Sequence, residues 1–234
     1  MDFINHTVVV TGAAGNLGRA VADAFAERGA NLVLVDLRRE SLDRTFGAEN
    51  ERRLFAPTDL LDRGAVGRAV TQALARFGRI DVLCNIAGGF RMGERVHETS
   101  DETLSFLFDL NTRTLLHAVH AVVPHMLDRG GGRIVNVGAY AAQKGAAQMG
   151  AYCAAKGAVI RLTEAMAAEL REKNINVNCV LPTIIDTPEN RAAMPDADPG
   201  RWVAPSDLAD AILFLASKGA RAIHGAALPV TGLS

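Results

Sequence analysis

The stretch TVVVTGAAGNLGRA, Thr7 to Ala20, opens as a β-branched apolar run and passes directly into a turn carrying Gly12, Gly15 and Gly18. The run predicts a buried strand, and the Ala-rich pattern over 17–29 predicts the helix after it. Glycine at a strand-to-helix turn removes the Cβ that would hold a phosphate away from backbone N–H groups and the helix N-terminus. Asn16 and Leu17 lie in the same turn and are candidates with the glycines. A glycine-rich turn alone is weak evidence and needs support from the next strand.

That support is a second apolar run, NLVLVD at 31–36, ending on Asp36. A carboxylate there can accept both hydroxyls of a ribose and would repel a 2′-phosphate, which favours NAD(H) over NADP(H). A solvated strand-end Asp is the alternative. Arg38 and Arg39 come directly after, and either could cover a phosphate, which keeps NADP(H) open.

The alternation continues. RRLFAPTD (52–59), IDVLCNIAG (80–88), RIVNVG (133–138), INVNCVLPT (175–183) and AALPVTG near the end read as further strands. Helical patterns cover 65–77, 101–128, 152–172 and 206–217. The strand runs are continuously apolar, as a sheet covered on both faces requires. Strand–helix alternation predicts right-handed crossovers and one α/β domain over 1–234, a Rossmann-type, doubly wound parallel sheet flanked by helices. The irregular stretch 184–205, IIDTPENRAAMPDADPGRWVAP, predicts a long loop without a regular element, placed as a substrate lid. Asp59 and Leu60, just past the third strand, are placed to face an adenine; an ordinary turn Asp is the alternative.

Bulk composition excludes several classes. Of 234 residues, 49% are hydrophobic and 22% charged, and the formal net charge is -1 with no basic block. Neither nucleic acid nor an anionic membrane is an expected partner. Cys84, Cys153 and Cys179 are odd in number and far apart, which suits reduced thiols in a cytoplasm. No signal peptide or membrane span is read. His117 and His120 have helical spacing, with His125 further on, but no carboxylate matches them, so no metal is expected.

One phrase occurs twice: GAYAAQKGA from Gly138 and GAYCAAKGA from Gly150. Each copy sets a Lys four residues after a Tyr, as Tyr140 with Lys144 and Tyr152 with Lys156. On a helix that spacing brings the two onto one face. Tyr152 opens an unbroken Ala-rich run, whereas Tyr140 lies in a stretch broken by Gly145 and Gly150. The second pair is therefore the candidate, and the first a coincidence of spacing. A nearby ammonium is expected to lower the phenol from its ordinary value near ~10. Cys153 points well round the helix from Tyr152 and reads as a small core or interface residue.

The pieces TGAAGNLG, Asp36, NIAG (Asn85 to Gly88), Asn111 in DLNTRT, IVNVGA, YCAAK and VLPTIIDTP, in this order, resemble the short-chain dehydrogenase/reductase family over nearly the whole chain. The resemblance implies a nicotinamide cofactor and hydride exchange with a carbonyl-like carbon. It implies Tyr152 as proton donor, Lys156 on the nicotinamide ribose, and Asn111 holding a water on that Lys; a polar residue satisfied inside a buried helix is the alternative for Asn111. Asn85, Ala87, Gly88, the backbone of Pro182 to Ile184, and Thr187 would meet the cofactor, with a simple helix cap as the alternative for Thr187. The family's Ser thirteen residues before the Tyr is here Ala139. GAYAAQKG, IAGGF and the 180–202 stretch are similar to the dihydropteridine reductases of that family, which implies a dihydropteridine-like substrate. Phe90, Tyr140, Tyr152 and Trp202 would stack on it, and Trp202 could equally pin the lid. The alternatives are a 3-oxoacyl, ketone or alcohol oxidoreductase, or an NAD-binding regulatory protein with impaired catalysis. Helices over 101–128 and 152–172 are expected to pair in a homodimer or homotetramer.

Overall fold

A computed structural model describes residues 1–234. β1 (Thr7–Thr11) runs into α1 (Asn16–Ala26), β2 (Asn31–Asp36) into α2 (Arg39–Phe46), and β3 (Arg53–Pro57) into α3 (Arg63–Phe77). β4 (Val82–Asn85) precedes α4 (Asp101–Phe108) and α5 (Thr114–Arg129), and β5 (Gly132–Val137) precedes α6 (Gly150–Leu170). β6 (Ile175–Pro182) leads to α7 (Pro188–Ala193) and α8 (Pro205–Ala216), and β7 (Ala227–Val230) closes the chain. The strands form one parallel sheet in the order β3-β2-β1-β4-β5-β6-β7. The winding reverses between β1 and β4, and at such a point the strand ends diverge to leave a crevice.

Side-chain alternation divides the apolar residues between the two faces. Val8, Val10, Leu34 and Val135 pack with Val21 and Phe25 of α1 and Ile212 of α8. Val9, Val33, Leu83 and Ile134 pack with Val70 of α3, Val122 of α5 and Val159 of α6. Both faces are covered, which accounts for the continuously apolar strands.

Three sequence expectations are corrected. The helix over 101–128 is interrupted by a π-turn at Asp109–Arg113, which separates α4 from α5. α2 has no counterpart among the helical patterns, because RESLDRTF buries only Leu42. The 184–205 stretch is not irregular throughout: it holds α7, a 3₁₀ turn at Pro199–Arg201 and a parallel bridge between Ile185 and Val203. Its prolines and acids act as helix-start signals. Pro188 opens α7, Thr187 caps it, and Asp186 grips Arg191 at 2.6 and 2.7 Å.

Candidate active site

The glycine turn is dictated by crowding. Gly12 has φ +62, and a Cβ on it would fall 2.9 Å from the Cα of Ala87. A Cβ on Gly18 would run into the Gly12 carbonyl. Gly15 precedes α1 with no side-chain cap, so the exposed Asn16 and the buried Leu17 begin a helix whose first N–H groups face the crevice. The turn is braced by Asp36, whose carboxylate accepts from Ala14 N at 3.0 Å and Leu37 N at 2.9 Å. Asp36 is thus not a free solvated acid, and each oxygen keeps a further lone pair.

Arg39 is turned away from this end. It donates to Asp43 at 3.0 Å and Glu49 at 2.9 Å and lies over the Phe55 ring. Arg38 is exposed. Thr58 N donates to the Asp36 carbonyl at 2.7 Å, which brings Asp59 and Leu60 beside Asp36. Asp59 is exposed and accepts from Leu61 N at 2.8 Å, the geometry of a turn Asp. Leu60 packs on the α3–α5 side of the core, and its carbonyl meets His117 Nδ1 at 2.8 Å.

Across the switch point, Tyr152 lies in the first turn of α6 and Lys156 one turn on. Tyr152 is half-buried and Lys156 only 5% exposed. The Lys156 ammonium donates to the Val137 carbonyl at 2.8 Å. A Cβ on Gly88 would sit 2.8 Å from Asn111 Oδ1 and 3.1 Å from Lys156 Nζ, so NIAG, the π-turn and α6 converge here. Asn85 donates to Asn136 Oδ1 at 2.8 Å, and Ala87 N donates to Thr11 Oγ1 at 3.2 Å. Asn111 accepts from Gly89 N at 3.1 Å and donates to the carbonyls of Gly89 at 3.0 Å and Leu107 at 2.9 Å. Its side chain clamps the turn that carries Gly88.

The first Tyr–Lys copy is not a helical pair. Tyr140–Gln143 is a 3₁₀ turn, and Lys144 is extended at φ -152, ψ 158. Tyr140 is 45% exposed, while Ala139 is buried. Cys153 is buried and its thiol donates to the Ala141 carbonyl at 3.4 Å, a packing role. Gly93 N donates to the Gln148 carbonyl at 2.9 Å, and Val96 fits over Gly150. This docking of the 89–96 loop on the start of α6 brings Phe90 against Tyr152.

The expected electrostatics are corrected. Burial pushes the Tyr152 phenol up to about 12, with a lesser contribution from Cys153. Burial also pulls the Lys156 ammonium down to about 8. Desolvation penalises whichever form is charged, and in the protein alone it outweighs any benefit of one to the other. Tyr152 is therefore a protonated phenol at neutral pH.

Pro182 ends β6 and is buried. The Ile184 carbonyl accepts from Val203 N at 2.9 Å, which ties this segment back on itself and leaves the oxygen one further lone pair. Thr187 accepts from Asn190 N at 3.2 Å, the capping alternative. Trp202 is buried and comes just after the 3₁₀ turn, which favours pinning of the segment over a free stacking face. Glu189 of α7 accepts from Asn16 Nδ2 at 2.8 Å and ties this segment to the glycine turn, a contact that no sequence pattern announces. Sequence reasoning also misses Asn136 and Thr163, bonded to each other at 2.9 Å behind the site. The Asn inside the apolar RIVNVG run is the one signal that could have found them. No group of three or more His, Cys, Asp or Glu residues is arranged to hold a metal ion, and no helix is long and apolar enough to cross a membrane.

Known proteins resemble this chain in sequence and in fold. The chain is 36% identical over 241 residues to cis-4-hydroxycyclohexanecarboxylate dehydrogenase of Sinomonas cyclohexanicum, covering 98% of this chain and 96% of that one. It superposes on the NAD complex of carveol dehydrogenase from Mycobacterium avium with a TM-score of 0.90 and 30% identity, covering 98% and 97% of the two chains. It superposes on the NADH complex of 3-ketoacyl-(acyl-carrier-protein) reductase from Brucella melitensis with a TM-score of 0.88 and 30% identity, covering 98% of each. The short chain dehydrogenase family profile matches residues 6–198. Matched by that profile over most of its length, and 36% identical to the Sinomonas enzyme over 98% of it, this protein belongs to the short-chain dehydrogenase family and is an oxidoreductase.

Proposed function

We propose that the protein exchanges hydride between NAD(H) and a carbonyl or imine carbon, with Tyr152 donating the proton in the reductive direction. The observation that carries this reading is the α6 pair: Tyr152 half-buried at the crevice, with the Lys156 ammonium buried one turn behind it against Val137. The residues fit a dinucleotide, because the turn at Gly12, Gly15 and Gly18 carries no side chain and the N-terminus of α1 has no side-chain cap, which leaves its first N–H groups for a phosphate. Gly12, Gly15, Asn16, Leu17 and Gly18 would hold the pyrophosphate, Asp36 a ribose, and Asp59 and Leu60 the adenine. Asn85, Ala87, Gly88, Pro182, Ile184 and Thr187 would surround the nicotinamide half, with 184–205 as the lid. When bound, the dinucleotide supplies or receives the hydride. The NAD-bound and NADH-bound relatives support NAD(H). Preference over NADP(H) rests on Asp36 and on the engagement of Arg39 with Asp43 and Glu49, which leaves only Arg38 for a 2′-phosphate.

The chain's own groups supply the proton chemistry. The neutral Tyr152 phenol gives its proton to the substrate oxygen or nitrogen, and the Lys156 ammonium stabilises the phenolate left behind. Asn111 holds the Gly88–Gly89 turn in place. Ala139 offers no hydroxyl, so a second donor to the substrate heteroatom is missing, typically worth ~2.7–4 kcal/mol at a transition state. That absence favours an activated acceptor such as a dihydropteridine-like imine. A ketone, 3-oxoacyl or alcohol substrate is the second reading, favoured by the similarity to the Sinomonas and Brucella enzymes. A cytoplasmic setting belongs to the same proposal, on the three free buried thiols.

The test is kcat/KM for a dihydropteridine and for a plain cyclic ketone, with NADH and NADPH, in the native protein and Ala139→Ser. The expected result is that Ser raises ketone reduction and changes dihydropteridine reduction little. Efficient native ketone reduction with no dihydropteridine turnover removes the imine reading. NADH binding without turnover across a broad carbonyl and imine panel removes hydride transfer.

A further inference from the structure

Thr11, Asn85, Asn136 and Cys179 stand opposite one another in β1, β4, β5 and β6. Residues paired in register share a sheet face, here the face that α6 covers, and all four are buried. Four hydrogen-bonding side chains thus cross the centre of the sheet in one row, just beneath the site, where the preceding residues on the same face, Val9, Leu83, Ile134 and Val177, are apolar.

The direction of bonding along the row is set by one hydroxyl proton. Thr163 of α6 donates to the Val159 carbonyl at 2.8 Å, so its oxygen must accept from Asn136 Nδ2 at 2.9 Å. Asn136 Oδ1 is then the acceptor for Asn85 Nδ2 at 2.8 Å. At the β1 end, Thr11 Oγ1 accepts from Ile86 N at 3.0 Å and Ala87 N at 3.2 Å, holding the turn that runs on to Gly88. At the other end, Cys179 is buried on β6 in register with Asn136. Asn136 and Thr163 are fully buried. The row is not the cheapest way to fill this space, because Asn85 Oδ1 is buried without a partner. Apolar side chains would avoid that cost, but would not specify one arrangement of β5 against α6.

The consequence falls on Lys156. Val137, the residue after Asn136, accepts the Lys156 ammonium, and Thr163 lies seven residues, about two helical turns, past Lys156 on α6. β5 is therefore tied to α6 twice, through the Asn136 side chain and through the Val137 carbonyl. We propose that Asn136 and Thr163 are positioning residues, which hold β5 and α6 at the spacing where the Val137 carbonyl receives the Lys156 ammonium. The proposal rests on Lys156 being the working cation of the site.

The test reads Lys156 directly. The chain has four lysines, Lys144, Lys156, Lys173 and Lys218. The full chain, labelled with ¹³C at the lysine ε-carbon, is titrated by NMR, with the Lys156 signal assigned through Lys156→Met. Thr163→Val keeps the shape and removes the hydroxyl, Thr163→Ala makes the same break with a smaller side chain, and Thr163→Ser restores the hydroxyl. Native Lys156 is expected to titrate below the other three lysines. In Thr163→Val and Thr163→Ala its midpoint should fall further, by roughly half a unit to one unit, as the ammonium loses a well-placed acceptor. In Thr163→Ser it should return to the native value. A lowered melting temperature with an unmoved Lys156 midpoint in the folded Val or Ala variant overturns the proposal and leaves the row a purely structural device. NADH affinity, read by fluorescence on the same proteins, separates the two readings. A shifted midpoint, with Lys156→Met still binding NADH and turning over, supports the brace and removes Lys156 from the chemistry.

Discussion

The ring of Phe90 stands edge-on to the ring of Tyr152, with centroids 4.8 Å apart and planes at 86°. Phe90 is 55% exposed, so most of its surface beside the phenol stays open. Such pairs contribute ~0.5–1.5 kcal/mol beyond burial. Phe90→Ala should leave global stability nearly unchanged and raise KM several-fold for ring-bearing substrates, with a smaller effect on acyclic ones. It should also lower the Tyr152 phenol from about 12, because desolvation is what raises it. Parallel KM series and an ultraviolet tyrosine titration check both outcomes.

Tyr152→Phe removes one oxygen and little volume. Turnover should fall by about 10²- to 10⁴-fold while NADH still binds. Tyr140→Phe should cost little, since Tyr140 is exposed in a 3₁₀ turn and is not one helical turn from its Lys. Loss of turnover in the Tyr140 variant alone would mean that its hydroxyl stands in for the Ser missing at Ala139.

Asp36 meets both Ala14 N and Leu37 N, so its removal has two effects. Asp36→Ala should weaken NADH binding by about 10- to 100-fold, on the scale of hydrogen bonds to a charged group, and narrow the gap to NADPH. Isothermal titration with both dinucleotides reads this. Native binding of NADPH as tight as NADH would assign the 2′-phosphate to Arg38.

The pH dependence is set by Lys156. Its folded value, about 8, is below the ordinary 10.5, so the ammonium is present below about 8 and lost above it. Tyr152 stays protonated until about 12. Reductive kcat/KM should therefore decline as pH rises through about 8, on a limb that belongs to the lysine. Stability should move the other way. Between about 8 and 10.5 the unfolded chain binds the lysine proton more readily than the folded one, so this group's destabilising effect diminishes as pH rises. A flat rate profile to pH 10 would remove Lys156 as the controlling group.

Leu104 and Phe106 of α4 and Leu116 and Leu127 of α5 are apolar and exposed. Burial of some of these side chains against a second copy is expected, giving a homodimer or homotetramer. Sedimentation velocity at micromolar concentration checks it, and a monomer there removes the expectation.

Strand runs, the glycine turn and the Tyr152–Lys156 spacing were legible along the chain because each depends on a local period or a local steric demand. Gly12 needs its positive φ whatever surrounds it, and an i, i+4 pair shares a face of any helix. The choice between two identical Tyr–Lys spacings drew on the order of the family's motifs as well as on Gly145 and Gly150, which break the first stretch. Tertiary structure decided the rest. Asn111 became a clamp on Gly89 because a π-turn and the NIAG turn meet across 22 residues of sequence. The phenol rose rather than fell because burial, a property of the whole packed site, outweighs the one neighbour that spacing reveals. Trp202 turned inward and Thr187 became a cap because 184–205 folds around its own short helix. The Thr11–Asn85–Asn136–Cys179 row exists only in the register of four strands drawn from distant parts of the chain, and register is set by how both faces of the sheet pack.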